Sequence, residues 1–348
     1  AAGEHGEPGE PAAAEGPEGA GQRIHPNDVV NLGQSSNDVI PSAINIACRL
    51  EGECLSVEIG RLAETLEEKE REFAGVVKLG RTHLQDAVPI TLGQEISAWK
   101  EQVRRAGERL DRALAECETL PLGGTAVGTG LNSSTAFSER AVGIIAEMTG
   151  VPFRPDGNRF VGISARDESL SLMSALNGAA VVYAKIAQDL RLLSGGPRGG
   201  MAEVGLPALQ PGSSIMPGKV NPVIPEMVLQ AAVFVMGKHT SVTVAAQNAP
   251  LQLNIMQPLI AHELLSSIDL LTRVSQRFRT KALEGLNADA ERCSRWVRES
   301  LALVTPLARK IGYDRAARIA HRAYEEGTTL FEAAMEEGVM DEEELRKV

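Results

Sequence analysis

Residues 99 to 117 read WKEQVRRAGERLDRALAEC. Trp99, Val103, Ala106, Leu110, Leu114 and Cys117 recur at steps of three or four, while Glu101, Arg104, Arg105, Glu108 and Arg109 take the other face. That is the period of a partly exposed amphipathic helix. Upstream, Ile59, Leu62, Leu66 and Phe73 draw a similar stripe among the charges of residues 57 to 74, which predicts a helix that stops before the Gly80 region. Two long helices so close in sequence predict an antiparallel bundle. Leu172 to Leu193 and Met227 to Gly237 are apolar on more than one face, so they are expected to be covered from several sides, partly by other copies of the chain. Strand signals are weak. The Gly-rich run GGTAVGTG at residues 123 to 130 has no alternating apolar run before it, so a dinucleotide site is rejected. No repeat of fixed period is evident.

The expected architecture is all-α. Residues 25–286 form a long central helical bundle, and from about Asn287 shorter, more charged helices ending in the acidic run Asp341 to Glu344 form a small C-terminal domain at 287–348. Residues 1–24, with runs such as GEPGEPAAAEGPEGAG, bury too little apolar surface to offset chain entropy and read as a flexible segment.

Composition removes several function classes. A net charge of -11 and 3% aromatic residues argue against nucleic acid, which needs basic patches and stacking platforms, and against an anionic membrane surface. Basic clusters such as Arg104-Arg105 and Arg315 to Arg318 read as solvated helix faces. Met227 to Gly237 is too short to span a bilayer and is followed by Lys238 and His239. Cys48, Cys54, Cys117 and Cys293 are scattered, with no metal-ligand spacing and no disulfide framework, so neither a metal nor a cofactor is expected. No basic segment followed by an apolar one opens the chain, and a reducing cytoplasm is the expected location.

Chemistry concentrates in the segment GSSIMPGKVNP, Gly212 to Pro222, a loop by its glycines and prolines between two helical segments. Its glycines allow close approach of backbone N–H groups to an anion, and Lys219 and Asn221 offer a charge and amide donors for a carboxylate. Removing a proton from the carbon beside a carboxylate demands concentrated positive charge where the dianion forms. A serine in such surroundings has its pKa lowered toward use as a base.

This loop resembles the signature of the fumarase/aspartase superfamily. Residues 80 to 95, GRTHLQDAVPITLGQE, and residues 25 to 38, HPNDVVNLGQSSND, are similar to the family's two other conserved regions. The resemblance covers roughly His25 to Val348 and implies a homotetramer with a twenty-helix core, each site assembled from three regions on three subunits. It implies that Ser213 is the base, that Lys219 and Asn221 hold the carboxylate and stabilise the aci-carboxylate, and that Thr82 and His83 contact the substrate and leaving group. Glu226 pairs with the histidine of another chain. Asn37, with Ser35 and Ser36, and Ser214 are further substrate contacts on the same basis. His25, Asn27 and Asp28 resemble a second, surface-proximal dicarboxylate site; a helix-start cap by Asn27 or Asp28 is the alternative. The family commonly carries His where Val29 stands here.

Within the family, LGGTAVGTGLN at 122 to 132, TLGQEISAW at 91 to 99 and Ser35 to Asp38 resemble class II fumarases. VIPE at 223 to 226 and LQLN at 251 to 254 lean toward aspartases. The reaction implied is hydration of fumarate to L-malate, with elimination of ammonia from aspartate as the alternative. A third reading is an inactive truncated helical scaffold, because the family's usual N-terminal domain is expected to be largely absent before His25.

Overall fold

The computed structural model describes residues 26–345 other than 211, 213, 214 and 217. The segment 1–24, His25, Ser213, Ser214 and the side chain of Asn27 lie outside the described residues.

Five long helices carry the fold: α1 (Ser36–Glu72), α2 (Leu92–Glu116), α5 (Asp167–Leu193), α6 (Val223–Gln247) and α7 (Gln257–Phe278), with α3 (Thr135–Thr149) and the short α4 (Arg159–Ser164) between α2 and α5. They close into a ring in which each packs on the next and α7 returns to α1. Side-chain pairs give the directions. Ser56 donates to Asp111 at 2.6 Å and Arg49 to Glu118 at 3.1 Å, and Trp99 Nε1 donates to Asp189 at 2.9 Å while Arg109 lies beside Gly178, so α1 with α2 and α2 with α5 run antiparallel; Lys238 pairs with Glu263 at 2.9 Å across α6 and α7.

The stripe read from residues 99 to 117 is buried as expected: Ile96, Trp99, Val103, Ala106 and Leu110 face Leu55, Ile59, Leu62 and Leu66 of α1 and the buried face of α5 in one apolar cluster. Burying each of these larger side chains stabilises the bundle by about 1.5–3 kcal/mol. Where the core needs a polar group, it is paired. Tyr183 OH meets Ser275 Oγ at 2.6 Å between α5 and α7, both fully buried.

Several expectations change. The helix read over 57 to 74 is the later part of α1, which starts at Ser36. There the Ser35 hydroxyl caps the backbone and the Asp38 carboxylate accepts Ser35 N–H, a capping box. The HPND segment does not begin the long helix; Pro26–Val30 is a single wide turn closed by Asn31 N–H to Pro26 O at 2.8 Å. Met227 to Gly237 belongs to the 25-residue α6, because Lys238 sits inside the helix, satisfied by Glu263. By length and composition α5 and α6 both suffice to cross a membrane, and only 33% of the apolar window of α6 is buried within the chain. Val233 and Phe234 on α6 stand exposed.

Strands occur where none was expected. β1 (Val77–Thr82) and β2 (Gln85–Thr91) pair as an antiparallel hairpin beyond the end of α1. Two further pairings of two residues each, Thr119–Leu120 with Arg154–Pro155 and Val204–Gly205 with Asn287–Ala288, are all that the described residues add to an otherwise helical chain. Beyond residue 289, α8 (Ala290–Glu299) packs on β1. The helices α9 (Val304–Ile311), α10 (Tyr313–Glu326), α11 (Leu330–Glu336) and α12 (Glu342–Leu345) enclose their own cluster around Leu307, Ile319 and Leu330.

Candidate active site

The first segment is the hairpin. Thr82 pairs with Gln85, which leaves His83 and Leu84 as a two-residue turn. Both carry positive φ, 55° and 60°. Two positive φ values match the twist of a tight hairpin but are uncommon for residues with a β-carbon, and each costs about 1–2 kcal/mol. The hairpin base compensates. Glu203, with no exposure, lies 3.1 Å from Lys78 and 2.8 Å from Arg81, and Lys78 also meets Glu95 at 2.7 Å. Ser300 donates to Asp86 at 2.7 Å. The base is thus buried and ion-paired while Thr82 and His83 are presented to solvent at the tip.

The second segment heads α6. Gly212 N–H donates to Lys219 O at 2.9 Å and Asn221 Nδ2 donates to Gly212 O at 3.0 Å, cinching the loop into a closed turn. Asn221 therefore spends one of its donors on the loop itself. Lys219 is exposed and Glu226 half-buried in the first turn of α6, where an acid suits the helix dipole. Among the described residues, the side chains of His83, Lys219 and Glu226 have no hydrogen-bond or ion-pair partner within the chain. The His83–Glu226 pair does not form inside one subunit.

The third segment opens α1. Ser35 is the helix cap, Ser36 is exposed, and Asn37 Nδ2 donates to Ala126 O at 2.8 Å. The accepting segment is the Gly-rich run rejected above as a dinucleotide loop, a succession of turns. Its residues Gly123, Thr125, Gly128 and Gly130, and Asn132 just beyond it, all have positive φ. Gly123 N–H and Thr125 N–H converge on one oxygen of Asp38 at 2.8 and 2.9 Å. Asp38 was not singled out in the sequence; the available signal was the S-x-x-D spacing of a capping box. Asp28 is exposed in the turn before it. Among the described residues no group of three or more His, Cys, Asp or Glu could hold a metal.

The three segments do not meet in one chain. α1 and α7 run one way and α2 and α6 the other, so the hairpin and the Gly212 loop lie at one pole and Ser35 to Asn37 at the other. A helix of 37 residues, roughly 55 Å, separates the poles.

The sequence matches the family described as Lyase over residues 11–237, beginning inside the segment read as a flexible tail, and the family described as Fumarase C C-terminus over residues 303–348. Class II fumarate hydratase of Xylella fastidiosa is 46% identical over 327 residues, 93% of this chain and 69% of that protein. Mitochondrial fumarate hydratase of Homo sapiens is 44% identical over 323 residues, 92% of this chain and 63% of that one. Among solved structures, the fumarate lyase:delta crystallin of Brucella melitensis bound to cobalt superposes with a TM-score of 0.90 at 45% identity, covering 93% of this chain and 70% of the other. Class II fumarase of Schistosoma mansoni gives 0.88 at 36% identity, covering 94% and 71%. The chain spans about two thirds of the length of these relatives.

Proposed function

The chain belongs to the lyase family that contains the class II fumarate hydratases, and from that membership we propose that it interconverts fumarate and L-malate. The observation that carries the reading is the Gly212 to Pro222 loop. It is tied shut by one backbone bond and one from the Asn221 side chain, with an exposed lysine ammonium that has no partner among the described residues. A small dicarboxylate is the matching ligand.

In the elimination direction, Ser213 takes the proton from the carbon beside one carboxylate, and the electron pair moves into that carboxylate as an aci-carboxylate. Lys219 and Asn221 stabilise the extra charge. The electron pair then returns to form the double bond as the C–O bond on the neighbouring carbon breaks, and the departing hydroxyl leaves as water with a proton given by His83. His83 contacts the departing oxygen, with Glu226 of another chain setting its tautomer. Thr82, Ser35, Ser36, Asn37 and Ser214 hold the substrate. His25, Asn27 and Asp28 are assigned to a second dicarboxylate site.

The two poles support a reading in which sites are shared between subunits. A homotetramer would bring one pole of a chain to the other pole of its neighbour and would cover the exposed apolar face of α6 around Val233 and Phe234. Four rings of five long helices would supply the twenty-helix core. The four cysteines, all free, fit a reducing cytoplasm.

The test is an ultraviolet absorbance assay at the fumarate band. Malate should raise the signal and aspartate should not. Turnover of aspartate with malate inert would replace the reading with an ammonia-lyase, and turnover of neither would leave the inactive scaffold.

A further inference from the structure

Asp38 has no exposure and, among the described residues, no cation paired with it. Its charge is met instead by backbone N–H groups. One carboxylate oxygen accepts Ser35 N–H at 3.0 Å and the other accepts Gly123 and Thr125 N–H at 2.8 and 2.9 Å. Alternate N–H groups of a chain that passes repeatedly through positive φ form a concave anion nest, and such nests ordinarily take external phosphates or carboxylates. Here the occupant belongs to the chain. The same carboxylate thereby welds the segment before α1 to the Gly-rich run, and Asn37 Nδ2 bonded to Ala126 O is a second rivet across the same seam.

We propose that Asp38 is a positioning residue for the lyase reaction: its carboxylate holds Ser35, Ser36 and Asn37 in place for the substrate by filling the nest at Gly123 and Thr125. The inference rests on the assignment of those three residues to substrate binding. A carboxylate is required because both oxygens must accept. An asparagine amide that turned its oxygen to Gly123 and Thr125 would aim its N–H₂ at the Ser35 N–H, donor against donor. Leaving that N–H or the loop amides without an acceptor releases the seam.

The kinetic signature differs from that of general destabilisation. Contacts made by Ser35 to Asn37 hold substrate before and during the chemical step, so loosening them raises KM more than it lowers kcat. Asp38→Asn in the full chain should raise KM for malate by about ten- to a hundredfold. Gly123→Ala reaches the same contact from the other side. Its added carbon would lie 2.6 Å from Ser138 Cβ at a φ of 87°, displacing the N–H that binds Asp38, and it should reproduce the KM rise. Ser42→Ala, which removes a 2.7 Å hydrogen bond to the Asp38 carbonyl in the same turn, should leave KM unchanged. If Asp38→Asn does not fold, Gly123→Ala decides. An active wild type whose folded variants keep KM within about twofold overturns the role alone. A KM rise equal in Ser42→Ala also overturns it, as a loss of local stability. A wild type that turns over neither malate nor aspartate overturns the lyase reading, and the role with it.

Discussion

A β-carbon placed on Gly212 would lie 2.0 Å from the Lys219 carbonyl oxygen, inside any contact distance, so the closed turn that presents Lys219 exists only with glycine there. Gly212→Ala should therefore reduce kcat/KM by about a hundredfold, because a misplacement of an ångström at a binding group costs that much. The melting temperature should stay near wild type, since the loop is outside the bundle core; a large fall would assign the loop to stability instead. The thiols give a separate prediction. Burial raises Cys48 from the ordinary 9.0 to about 12 and raises Cys117 in the same direction, while Cys293 rises to about 11, again chiefly by burial. Raised values favour the neutral thiol in the folded state. The stability they contribute is present below the unfolded value of 9.0 and is lost as pH climbs from there toward about 12. Titration with a thiol reagent at neutral pH should label the exposed Cys54 rapidly and the other three only on unfolding. Rapid labelling of more than one would contradict the burial.

The hairpin shows how an element can be fixed by groups remote in sequence. Lys78, Arg81 and Glu95 belong to its strands and the helix that follows, whereas Glu203 comes from the connection after α5. Glu203→Gln keeps the shape but leaves Lys78 and Arg81 short of a counter-charge in a buried place. Breaking such a pair costs about 3–5 kcal/mol. Urea unfolding should report a loss of that order, and a change below about 0.5 kcal/mol would make the cluster no more than a surface pair. The same element marks the limit of what the sequence revealed. α2 was legible because its apolar residues keep one helical period and its buried face is continuous. β1 was not, because Lys78, Leu79 and Gly80 are buried in succession instead of alternating. Its turn is His83-Leu84, without the Asn or Gly that usually announces such a turn. Lys219, Asn221, His83 and Glu226 could be named from their motifs. Asp38 could not, because the nest that gives it a purpose lies 85 residues away along the chain.

At the scale of the whole molecule, one chain holds Asn37 and His83 at opposite ends of a 37-residue helix, so no single chain can offer both to one small substrate. If the site contains both, at least two chains build it. The side chains of His83, Lys219 and Glu226, without partners among the described residues, are what such an arrangement leaves behind in an isolated subunit. The test mixes two inactive variants, Ser213→Ala and His83→Ala, unfolds them mildly and refolds them together. If the three segments of each site come from three chains, as the family resemblance implies, every site draws Ser213 from one chain and His83 from another. With equal, random incorporation each source is intact half the time, so about a quarter of the sites should recover both residues. Activity should return to about a quarter of the wild-type value, while each variant refolded alone stays inactive. Varying the ratio should move the recovery as the product of the two fractions, with its maximum at equal amounts. If mass analysis shows mixed tetramers and turnover remains at the level of the parents, Ser213 and His83 act from the same chain, and the assignment of the three segments to three chains is wrong.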